Sequence, residues 1–112
     1  RSFRAALRRG VPIAMGTDAG TPFNYHGDNA QELERMVALG MTPMEAIMTS
    51  TSAAARLLGL IQDIGSIAAG KQADLLVVEG NPLRNIGVLL KRERIAGVMQ
   101  RGRFVAGPLS GA

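Results

Sequence analysis

The chain has 112 residues, 46% hydrophobic and 20% charged, the ordinary balance of one globular domain or part of one, and long enough to bury a core. It has no cysteine, which excludes disulfides, thiolate metal ligands and a cysteine nucleophile. Its net charge is +4, but aromatics make up only 4%, too few to supply the interleaved stacking platforms of many nucleic-acid binders.

In chain order, 1–9 reads as the end of a helix: Phe3 and Leu7 share a face and Gly10 supplies the stop. Val11–Met15 is a short apolar run with Pro12 near its start, the pattern of a strand buried on both faces. Gly16–Asn29 is rich in turn formers and holds the single histidine. A helix follows, with Asp28 or Asn29 placed to cap it, Gln31 or Glu32 placed for a reciprocal bond, and Leu33, Met36 and Val37 as its buried stripe up to Gly40. Thr42-Pro43-Met44-Glu45 spells a capping box with proline at the first helical position. Met44, Ile47 and Met48 are expected to face inward, as core rather than as an adaptable binding groove. A further helix, about 52–58, stops at Gly59. Ala73–Val78 is then a β-type run and Asn81-Pro82 a turn. Ile95–Gln100 and Phe104–Val105 are two more strands about a tight hairpin at Arg101-Gly102-Arg103. Helix, loop and buried strand followed by a β-rich end make this an α/β chain. The residues 107–112 read as a frayed tail.

Chemistry is usually placed in the loop after the C-terminal end of a strand. Asp18, in Thr17-Asp18-Ala19-Gly20, stands there among small neighbours that let a ligand approach. By position alone it is more often a carboxylate bonding loop amides than a metal ligand or general base. His26, eight residues on, could bind metal or substrate or carry protons, against the commoner reading of polar surface. Gly65–Lys71 matches the GxxxxGK phosphate loop, but Gln72 replaces the Ser or Thr that holds magnesium, and a strand rather than a helix follows, so nucleotide binding is rejected. The basic clusters (Arg1, Arg4, Arg8, Arg9; Lys91, Arg92, Arg94, Arg101, Arg103) read as solvated faces, or as surfaces meeting acidic parts of a larger protein. No signal peptide and no membrane-length apolar run is apparent, and a cytoplasmic location is expected.

The ordered strings Gly16-Thr17-Asp18-Ala19-Gly20, His26-Gly27, Glu32-Leu33, Gly40–Ala46, Thr51-Ser52, Ala55–Gly59 and Ile64–Leu75, ending in the valine-rich Ile95–Val105, together resemble the amidohydrolase superfamily. Within it the chain looks like the imidazolonepropionase-like enzymes and the Xaa-Pro dipeptidase-like metallo-dipeptidases. Each string is weak alone; their order over nearly the whole chain is specific.

The resemblance implies the C-terminal part of a (β/α)8 TIM barrel plus the C-terminal strands of a small β-sandwich. Residues 1–62 would be the barrel portion, with Val11–Thr17 as its eighth strand, and 63–112 the sandwich portion. It implies a metal-dependent hydrolase of amide-type C–N bonds acting on a small amide or dipeptide, with a divalent metal, zinc by preference; the composition leads to the expectation of no nucleic-acid or membrane partner. Asp18 would be both metal ligand and catalytic base, and His26, Thr17, Ala19 and Asn24 would line the substrate pocket. The family's other ligands (a His-x-His pair, a bridging lysine or glutamate, two further histidines) have no counterpart in a chain with one histidine. The start at Arg1, without an initiator methionine, fits a fragment or a processed product. The expectation is therefore an inactive piece of a larger, homo-oligomeric enzyme. The alternative is a non-catalytic remnant that self-associates through exposed sheet edges.

Overall fold

The computed structural model describes residues 2–16 and 30–111. Four short helices come first: α1 Ser2–Arg8, α2 Ala30–Ala38, α3 Pro43–Thr49 and α4 Ser52–Leu57. Three strands follow: β1 Leu75–Val78, β2 Ile95–Gln100 and β3 Arg103–Ala106, with a 3-10 helix at Ile86–Leu90 between the first two. Among the described residues no helix is long and apolar enough to cross a membrane.

The core is built where α2 meets α3. Leu33 and Met36 of α2, Met41 of the connecting turn, Ala46 of α3 and Ile86 of the 3-10 helix form one buried cluster, with Phe3, Leu7, Ile13, Met15 and Leu89 packed around it. Ala46 is fully buried, and its small side chain lets the two helices approach closely. The capping box at the start of α3 is complete: the Glu45 amide donates to the Thr42 hydroxyl at 3.2 Å, and the Thr42 amide donates to the Glu45 carboxylate at 2.9 Å.

The inward face of α3 differs from the one expected. Ala46 and Thr49 are buried, whereas Met44 and Met48 are 49% and 41% exposed, and Ile47 is half-buried. The packed stripe runs through the two smaller side chains, which leaves the long methionines at its margins. Thr49 can be buried because its hydroxyl donates to the Ala46 carbonyl at 2.6 Å and sits against the Met36 sulfur.

The run 11–15, expected as a strand, forms no ladder among the described residues. A strand exists only against a neighbour that completes its hydrogen bonds, and the described part of the chain offers this segment two backbone bonds, both to helices: the Val11 amide to the Ala6 carbonyl at 3.1 Å and the Met15 amide to the Thr49 carbonyl at 2.9 Å.

The sheet has the order β1-β2-β3 and is antiparallel throughout. β2 and β3 are joined by a two-residue turn in which Arg101 (φ 51) and Gly102 (φ 81) are both left-handed, the geometry that matches the twist of a hairpin. Arg103, expected in the turn, begins β3. A non-glycine residue at positive φ carries strain, and here it is held by a bond from 27 residues away: the Arg101 amide donates to the Asp74 carboxylate at 2.9 Å. The other Asp74 oxygen accepts from the Gln72 side-chain amide at 2.6 Å, and the Gly102 amide donates to the Ala73 carbonyl at 2.9 Å. Ala73 and Asp74 therefore grip the hairpin turn, and the regular strand starts only at Leu75. Gly97, in the middle of β2, is required by packing, since a Cβ there would lie 2.8 Å from the Phe104 ring.

The segment between α4 and β1 is a series of turns, and its GxxxxGK string is not a phosphate loop. Lys71 donates to the Ser66 hydroxyl at 2.7 Å, and the segment leads into β1. Gly65 (φ 96) lies so close to α4 that an added Cβ would be 2.6 Å from the Ala55 Cβ.

Candidate active site

All five residues singled out from the sequence (Thr17, Asp18, Ala19, Asn24 and His26) fall within 17–29 and lie outside the described residues. So do the proposed caps of α2, Asp28 and Asn29. The structure describes the two stems on which that stretch is mounted.

The first stem is 11–16. Its start is fixed to the end of α1, where the Val11 amide donates to the Ala6 carbonyl at 3.1 Å. Ile13 and Met15 then pack on the core cluster, and the Met15 amide closes onto the last carbonyl of α3. That bond satisfies one of the carbonyls a helix leaves unpaired at its C-terminus. The second stem is α2, whose Leu33 and Met36 are buried in the same cluster. Both ends of the candidate loop are thus tied to one packed unit, with Asp18 three residues beyond the anchored Met15. A catalytic carboxylate needs such support, because its usefulness depends on a fixed position.

Among the described residues no three His, Asp or Glu side chains converge as a metal site requires. A catalytic zinc normally takes about three protein ligands, and this chain's sequence offers one histidine beside Asp18 in the candidate loop. Among the described residues the carboxylate clearly displaced from its ordinary ionisation is that of Glu45, held below the usual glutamate value first by the backbone bond and then by the side-chain bond from Thr42. Its place is in the capping box of α3.

The residue that sequence reasoning passed over is Asp74, which organises the hairpin. Its position just ahead of a β-run was visible, but its partner Arg101 lies 27 residues away, and no local pattern links them.

The amidohydrolase family model matches residues 1–105. The chain belongs to the amidohydrolase family. It is 34% identical over 110 residues to an ochratoxinase from Aspergillus niger, covering 96% of this chain and 22% of that protein. It is 34% identical over 104 residues to an imidazolonepropionase from Shouchella clausii, covering 91% of this chain and 23% of the relative. A solved Xaa-Pro dipeptidase structure with methionine bound in its active site superposes with a TM-score of 0.87 at 42% identity, over 95% of this chain and 25% of that one. The chain thus spans about a quarter of the length of the amidohydrolases it matches.

Proposed function

We propose that the chain is a segment of a metal-dependent amidohydrolase that cleaves an amide-type C–N bond in a small amide or dipeptide, and that Asp18 is its catalytic carboxylate. The observation that carries this reading is the 42% identity to a Xaa-Pro dipeptidase over 95% of the chain, in a fold that superposes closely. The relatives named ochratoxinase and imidazolonepropionase support the same reaction class without choosing between substrates. In this reading 1–62 is the closing part of a barrel, with 11–17 as its last strand, and 63–112 belongs to a β-sandwich.

Asp18 accepts a proton from the attacking water and returns it to the departing nitrogen, a role for which a carboxylate at an anchored strand end is suited. Thr17, Ala19, Asn24 and His26 border the substrate. A divalent metal, zinc by the resemblance, supplies an activated water and a polarised carbonyl when bound. Asp18 is one of its ligands, and the remaining donors come from polypeptide beyond this chain. The 112 residues alone are therefore inactive. The test is hydrolysis of a panel of dipeptides and N-acyl amino acids by the longer polypeptide that carries this segment. Asp18→Asn should lower kcat by at least ~100-fold, with stoichiometric metal in the unsubstituted protein. Undiminished turnover in the variant would remove Asp18 from the chemistry.

A second reading, a non-catalytic piece that self-associates, draws on β1. All four of its residues are apolar, yet it lies at a sheet edge with Leu76 50% exposed and Val77 38% exposed. Apolar edges recruit further strands. A monomer by light scattering across a wide concentration range would dispose of this reading.

A further inference from the structure

We draw no further inference here: the strongest candidate, the apolar groove between α4 and β1 lined by Leu58, Ile64, Ile67 and Leu76, opens to solvent among exposed leucine and isoleucine side chains, and nothing in the structure shows what covers it.

Discussion

The helical half and the sheet of this chain are held together by different means. Around α2 and α3 the side chains close over one another, and Leu33, Met36, Met41 and Ala46 are nearly or fully buried. In the sheet β1 is apolar along its length, but its two central residues face solvent, and glycine is the one buried residue of β2. There, order comes from backbone pairing, from a left-handed turn, and from one carboxylate that ties the turn to the start of β1. A region that closes its own core carries most of its stabilising partners within itself. A sheet with exposed apolar residues is shaped for neighbours. This agrees with a chain that spans a quarter of its relatives.

The largest expected effect tests that contrast directly. Leu33→Ala, at 6% exposure in the helical cluster, should destabilise the chain by about 3 kcal/mol, from lost burial and the cavity left behind. Val77→Ala in β1 should cost under about 1 kcal/mol, because much of its side chain is already in water. Urea unfolding followed by circular dichroism measures both, and equal losses would erase the distinction between the two halves. The next effect lies at their junction. Gly65→Ala adds a Cβ 2.6 Å from Ala55 and 3.1 Å from the Thr51 carbonyl, at a positive φ. It should cost more than Gly70→Ala, where φ is also positive but nothing lies within 4 Å. The backbone penalty of about 1 kcal/mol is common to both. The excess for Gly65 reads the packing of the turn segment against α4.

What was legible in the sequence follows the same division. The helices, their glycine stops and the Thr42 capping box could be read because each depends on residues three or four apart. The hairpin was visible in its turn residues. Less visible was anything set by distant partners. The face of α3 was expected to run through Met44, Ile47 and Met48, and it turned on how closely Ala46 lets α2 approach. The run at 11–15 has the composition of a buried strand, but composition supplies no partner. Asp74 could not be matched to Arg101 by any period. As for the candidate site, Asp18 entered through the ordered resemblance of many weak strings, since position alone favoured the blander role.

The hairpin clamp gives a smaller, local test. Asp74→Ala leaves the Arg101 amide at its left-handed turn without the carboxylate that receives it. The loss should be about 1 kcal/mol, because the site is exposed and water replaces part of the bond. Asp74→Asn keeps an acceptor and should cost less. Hydrogen exchange at the Arg101 and Gly102 amides separates a sheet effect from a global one. Faster exchange there with α2 unchanged is the expected pattern, whereas uniform acceleration would mean that the two halves unfold as one.

The smallest expected effect concerns pH and belongs to the helical half. The Glu45 carboxylate accepts the Thr42 amide, and this holds its ionisation below the ordinary value. Because the folded value is the lower one, the ionised form favours folding. The contribution is complete above the unfolded glutamate value of about 4.3 and is lost as pH falls through the lowered folded value. Lowering pH from about 5 to about 3 should therefore reduce the urea midpoint, and Glu45→Gln should reduce that slope without abolishing the helix. Carbon-detected NMR of the Glu45 carboxyl fixes the sign independently, since a midpoint at or above the ordinary value contradicts the cap. Thr42→Ala serves as the partner substitution: it removes the hydroxyl but leaves the backbone amide, so it should relax only part of the shift. If it relaxes all of it, the side-chain bond outweighs the backbone bond, and the order of the two causes reverses.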